Sequence, residues 1–244
     1  MLVSTRNPLN IGAAARAMSN FGFRHLRVVN PYEAAFREAR SAVGASALLK
    51  SASEYASLAE AMADCTLVVG TTAARHRELQ HPLRGLEEGA RLIRKRLASG
   101  RVALLFGSEK RGLSNHDLSY CHWLMRVPTH DEHSSMNLGQ AVAVCLYELV
   151  RGAQSGSQRK RSLKESRAAR QPQKNNSAAA GQLERITATL LEALCASGYL
   201  KPQPAASTEE KVRRLVRRLN LPASDADLWL GMLRQMVWKM KSGE

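Results

Sequence analysis

Three short apolar runs constrain the fold more than any other feature of the chain. They are Thr66-Leu67-Val68-Val69-Gly70, Val102-Ala103-Leu104-Leu105-Phe106 and Leu124-Met125-Arg126-Val127. The first two are continuous rather than alternating, as strands are when helices cover both faces of a parallel sheet. Between them, Leu86, Ala90, Ile93 and Leu97 recur at helical spacing over residues 86–98. Upstream, His25-Leu26-Arg27-Val28-Val29 reads as a strand ended by Asn30-Pro31. Residues 33–40 and 54–64 read as helices, the second with Tyr55, Leu58, Ala59 and Met62 inward. A short helix follows Asn115. Strands alternating with helices predict an α/β fold built on a parallel sheet.

Three polar segments punctuate that pattern. Leu2-Val3 reads as a strand, and Asn7-Pro8 is a turn signal after which Asn10 can cap a helix. That helix is rich in alanine, with Ile11, Ala14, Ala15, Met18 and Phe21 on one face, and Gly22 stops it. The second segment, Phe106-Gly107-Ser108-Glu109-Lys110-Arg111-Gly112-Leu113, leaves a buried strand. A glycine there allows close backbone approach to a ligand. The third, His133-Ser134-Ser135-Met136-Asn137-Leu138-Gly139-Gln140, runs into a helix with Leu138, Val142, Cys145, Leu146 and Leu149 on its buried face. Ser134 or Ser135 can cap it, and N–H groups at a helix start can hold a ligand.

Other chemistries are disfavoured. The chain has no GxGxxG and no GxxxxGK[ST], which argues against a dinucleotide fold and a P-loop. It has no GxSxG elbow, so Ser135 with His130 and His133 is not a hydrolase site. His130-Asp131-Glu132-His133 is not HExxH, and Cys65, Cys121, Cys145 and Cys195 lack ligand spacing, so no metal is expected. The cysteines read as reduced thiols of a cytoplasmic protein. No run approaches membrane-spanning length, and the start has no signal-peptide pattern.

The three segments, in this order and spacing, resemble the motifs of the SpoU-type RNA methyltransferases of the SPOUT superfamily, with the nearest likeness to the TrmJ branch. The resemblance covers about residues 1–152. It implies a trefoil knot at the end of the catalytic domain, S-adenosylmethionine as cofactor, a homodimer, and 2′-O-methylation of RNA ribose. The TrmJ branch methylates nucleotide 32 of the tRNA anticodon loop, while other relatives act on ribosomal RNA. The family pattern usually carries a few more residues ahead of Leu2, so this strand is expected to be cut short. The resemblance places the cofactor among loops 71–75, 106–113 and 127–138. It implies contacts from Thr72, Ala73, Ala74, Gly107, Val127, Ser134, Ser135, Met136 and Leu138. Arg16, from the partner subunit, would face the methyl group, with Asn10, Glu109, Ser135 and Asn137 shaping the site. A guanidinium stays protonated near neutral pH, so Arg16 is expected to orient the ribose rather than to act as a base. Without the resemblance, Arg16 reads as a surface residue and Glu109 as an acid paired with Lys110 or Arg111.

Net charge is +15, which points to a polyanionic partner, nucleic acid before an anionic membrane surface. Aromatic residues make up only 5%, so phosphate contacts are a better expectation than base stacking. The composition divides the chain into a domain over residues 1–153, a basic linker over 154–180 and a small helical module over 181–244. In the module, Leu183, Ile186, Leu190, Leu191 and Leu194 share a helical face, and Ser207-Thr208-Glu209-Glu210 resembles a capping box. So small a core is expected to pack on the first domain or on a dimer mate. Lys211, Arg213, Arg214, Arg217 and Arg218 crowd the middle helix and read as an RNA-facing surface. A protein that binds RNA without catalysis is the rival class, and it would bind no S-adenosylmethionine.

Overall fold

The computed structural model describes residues 1–41, 47–73, 79–163 and 177–242. Among the described residues there are seven strands: β1 (Leu2–Val3), β2 (Arg27–Val29), β3 (Ser53–Tyr55), β4 (Leu67–Thr71), β5 (Leu83–Gly85), β6 (Val102–Leu105) and β7 (Trp123–Arg126). Every ladder is parallel. β1-β2-β3 form one group and β5-β7-β4-β6 the other. The groups join where Val3 N–H donates to the Phe106 carbonyl at 2.8 Å and Phe106 N–H to the Met1 carbonyl at 3.0 Å. The continuous order is therefore β3-β2-β1-β6-β4-β7-β5.

Helices α1 (Pro8–Asn20), α2 (Glu33–Ser41), α3 (Ala47–Lys50), α4 (Leu58–Ala61), α5 (Leu86–Leu97), α6 (Asn115–Ser119) and α7 (Leu138–Leu163) accompany the sheet. β4 shows why its sequence is continuously apolar. Leu67 and Val69 enter the core that holds Ile11, Phe36, Ile93 and Val142. Val68 enters the opposite core with Met62, Leu105, Leu118 and Leu124. Both faces are covered from Leu67 to Gly70, so polar side chains are kept out until Thr71 at the strand's carboxyl end.

Several local expectations change. Residues 54–64 are not one helix. Ser53–Tyr55 pairs with β2, and Ser57 caps the short α4 by accepting from Glu60 N–H. α1 starts at Pro8, which needs no N–H partner at that position, and its cap is Asn7 rather than Asn10. Asn7 Oδ1 accepts from the N–H groups of Leu9 and Asn10. α7 is capped by Asn137, whose Oδ1 accepts from Gly139 and Gln140, and not by Ser134 or Ser135. Its backbone continues to Leu163, beyond the compositional break at Gly152.

The C-terminal module comprises α8 (Ala180–Ala196), α9 (Ala206–Arg218) and α10 (Ala223–Lys241) around Leu183, Ile186, Val216, Leu230 and Leu233. α9 is preceded by Ala205 with no side-chain cap, so Ser207–Glu210 is not a capping box. The module packs on the first domain, where Ala180 N–H donates to the Cys65 carbonyl at 2.7 Å and Gly181 N–H to the Ala63 carbonyl at 3.0 Å. Arg213, Arg214 and Arg217 are buried in and beside this junction, which overturns their reading as an RNA-facing surface. Lys211 and Arg218 remain exposed.

Candidate active site

β6 and β7 flank β4 on either side, so the chain crosses over β4 between them. Ligands of parallel sheets bind outside the carboxyl ends of strands at such a switch. A cavity of about 510 Å³ lies there, a size suited to a small organic ligand. Three loops wall it, one after each strand. Thr72 and Ala73 come from the first, Gly107 and Glu109 from the second, and Val127, Ser134, Ser135, Met136 and Leu138 from the third. Ala74 lies outside the described residues. The inner wall is apolar, with Leu113, Leu118, Met125 and Cys145, while Thr71, Ser108 and Thr129 add hydroxyls.

The loops are held by bonds that the sequence did not advertise. Thr71 Oγ1 donates to the Leu105 carbonyl at 2.8 Å, tying β4 to β6. Thr129 Oγ1 donates to the Ser134 carbonyl at 3.2 Å and closes the third loop. In the second, Gly112 N–H donates to the Ser108 carbonyl at 2.8 Å, and Gly112 takes a φ of 66°. Gly107 is needed for a reason other than ligand approach. A Cβ there would overlap the backbone of Gly112 and Leu113, so the glycine serves the loop's own closure.

Asn10, Glu109 and Asn137, distant in sequence, form one hydrogen-bonded chain. Asn137 Nδ2 donates to Asn10 Oδ1 at 2.7 Å, and Asn10 Nδ2 donates to Glu109 Oε1 at 3.3 Å. The Glu109 carboxylate also accepts from the backbone N–H groups of Arg6 and Asn7, both at 3.2 Å. Glu109 thus pins the second loop to the start of α1. It is not paired with Lys110 or Arg111 among the described residues. Gly139 lets α7 approach α1, since a Cβ there would stand 2.6 Å from that of Ala13. Neither Asn10 nor Asn137 lines the cavity; both fix the loops that do.

Arg16 stands apart. It is exposed on α1, does not line the cavity, and has no ion-pair partner among the described residues. Two buried groups, Cys145 in the cavity wall and His122 just before the start of β7, are poor nucleophiles or bases. Burial pushes the Cys145 thiol up to about 12, so it stays protonated. Burial also pushes His122 down to about 3, and its Nδ1 accepts from Val68 N–H at 3.1 Å, so it is a neutral structural group. No group of three or more His, Cys, Asp or Glu among the described residues is placed to hold a metal. No described helix is long and apolar enough to cross a membrane.

The sequence model of the SpoU rRNA methylase family matches residues 1–147. The chain is 37% identical over 243 residues to the tRNA (cytidine/uridine-2′-O-)-methyltransferase TrmJ of Sodalis glossinidius, covering 99% of this chain and 91% of that one. It is 35% identical to the tRNA (cytidine/uridine/adenosine-2′-O-)-methyltransferase TrmJ of Pseudomonas aeruginosa, over 96% of this chain and 91% of that one. Among solved structures, TrmJ from Z. mobilis ZM4 superposes with a TM-score of 0.78 at 30% identity, covering 96% of each chain. With a family match over more than half its length and these relatives over nearly all of it, the chain belongs to the SpoU methylase family and to its TrmJ branch.

Proposed function

We propose that the protein is an S-adenosylmethionine-dependent 2′-O-ribose methyltransferase that acts on tRNA, at the cytidine or uridine of anticodon-loop position 32, and works as a homodimer. The observation that carries this reading is the three-loop cavity, whose lining includes the residues that the family motifs assign to the cofactor, apart from Ala74 outside the described residues. The lining also suits the molecule. The apolar wall of Leu113, Leu118, Met125 and Leu138 fits a flat base, and the hydroxyls of Ser108, Thr129, Ser134 and Ser135 fit a ribose and an amino-acid end.

When bound, the cofactor would supply an electrophilic methyl on sulfur: the ribose 2′-oxygen would bond to that methyl as its bond to sulfur breaks, releasing the hydroxyl proton to solvent and S-adenosylhomocysteine as the leaving group. The chain's own part is positioning. Glu109, Asn10 and Asn137 tie the second loop, α1 and α7 together beside the cavity. Arg16, with its planar fork of donors, orients the ribose and its phosphate, which supplies much of the acceleration. It reaches the cavity of the second subunit, in keeping with its exposure and its place outside its own chain's cavity. Leu9, 80% exposed at the start of α1, and Tyr147, exposed on α7, suit the same subunit contact.

The third loop, between β7 and α7, is read as the threaded segment of the family's trefoil knot. Residues 1–153 form the catalytic part, residues 154–180 the connection and residues 181–244 the helical module. Calorimetric titration tests the cofactor reading. S-adenosylmethionine is expected to bind one site per chain, with S-adenosylhomocysteine competing. No heat at millimolar cofactor would exclude it.

A further inference from the structure

The cavity and the C-terminal module share a wall. Leu113 and Leu118 line the cavity from the turn and helix around α6. The next two residues after Leu118 face the module. Arg213 of α9 sits with its guanidinium carbon 4.4 Å from the centroid of the Tyr120 ring. Its Nη1 donates to Ser119 Oγ at 3.2 Å, and that hydroxyl donates onward to the His116 carbonyl at 2.6 Å. Its Nε donates to Glu184 Oε1 on α8 at 2.9 Å.

Arg217, one turn further along α9, has a fully buried side chain. It donates to Glu184 Oε2 at 3.2 Å and to the Ala180 carbonyl at 3.3 Å. One carboxylate therefore serves two guanidinium groups, and Arg217 Nε has no hydrogen-bond partner among the described residues. A buried charge set of this kind costs desolvation and contributes little net stability, but each partner it uses fixes geometry. Two partners of Arg213, Ser119 and Tyr120, follow the cavity-lining Leu118 directly in the chain.

We propose that Arg213 is a positioning residue for the cofactor site. Through Ser119 and Tyr120 it holds the α6 wall, so docking of the C-terminal module and occupancy of the cavity are coupled. Because coupling is reciprocal, cofactor also tightens the docked module. The inference rests on the cavity being the S-adenosylmethionine site.

The test uses the full chain. S-adenosylhomocysteine affinity is measured by calorimetry for wild type, Arg213→Met and Arg213→Lys. Amide exchange over residues 113–121 and over α8 and α9 is followed with and without ligand. Arg213→Met is expected to weaken binding by about 5- to 30-fold, the lower part of the range of a typical coupling. Arg213→Lys keeps the charge without the fork and should recover only part of that loss. In wild type, ligand should slow exchange in α8 and α9 as well as in residues 113–121. This last result carries the test even if Arg213→Met fails to fold. Equal affinity in a folded Arg213→Met, or ligand protection confined to the three loops, would overturn the coupling alone. A wild-type chain that gives no heat would overturn the cofactor reading, and the coupling with it.

Discussion

Asn137 and Asn10 are joined by a 2.7 Å hydrogen bond that spans 127 positions of sequence. The bond connects the cap of α7 to the first turns of α1. Asn137 does two jobs with one amide, since its oxygen caps α7 while its nitrogen reaches Asn10. The two jobs can be separated. Asn137→Asp keeps a good capping oxygen, so stability in urea should stay within about 0.5 kcal/mol of wild type. It loses the donor to Asn10, so methyl transfer should fall at least tenfold. Asn137→Ala loses both and should be destabilised by about 1 kcal/mol. An Asp variant with full activity would show that the link to Asn10 is dispensable.

Gly107 gives a second prediction, in which the reason matters as much as the direction. Gly107→Ala should already disrupt the 106–113 loop, because the clash is with the backbone of Gly112 and Leu113. Cofactor binding should be lost together with the slow amide exchange of Gly112, even without ligand. Loss of binding with unchanged exchange in the free protein would place the clash at the ligand instead.

The pH dependence of stability follows from buried histidines. His122 is held at about 3 by burial, and His81 at about 4 by burial and then by Arg214 and Arg218. In the unfolded chain both titrate near 6.5. Below that value the unfolded state binds more protons, so stability is complete above pH 6.5 and drains away as pH falls toward the folded values. His122 alone should contribute a slope of about 1.4 kcal/mol per pH unit in that window. Urea melts at pH 7, 6 and 5 check this. His122→Asn, whose oxygen can still accept from Val68, should flatten the slope. An unchanged slope would mean that His122 is protonated in the folded chain.

Much of this architecture was legible because it is driven by burial. β4, β6 and β7 are covered on both faces, and their apolar runs mark them in the sequence. β3 and β5 were missed because they lie at the two ends of the strand order, where one side is unpaired. Ser53, Glu54, Leu83 and Gly85 are exposed, so no apolar run announces them. The loops of the cavity were found through motifs, but their internal bonds were not, because Thr129 and Ser134 look like ordinary loop residues. The arginines of α9 were misread for a related reason. Charged residues at helical spacing usually face water, and the carboxylate that draws Arg213 and Arg217 inward lies 29 and 33 positions away.

Arg16 separates catalysis from binding. Arg16→Ala should bind S-adenosylmethionine as wild type, because the residue lies outside the cavity of its own chain. Methyl transfer should fall by orders of magnitude, and Arg16→Lys should restore little. Mixed dimers with Gly107→Ala should regain part of the activity, since one composite site then carries both lesions and the other none. Loss without rescue in demonstrated mixed dimers would place Arg16 in its own subunit's site.

The position of the transferred methyl group decides whether the protein is a ribose methyltransferase of tRNA. Unmodified tRNA is incubated with the purified protein and S-adenosylmethionine, then digested and mapped by mass spectrometry. A single added methyl on the ribose of nucleotide 32 is the predicted result. A methyl on a base, or no methyl on any ribose despite bound cofactor, would contradict it.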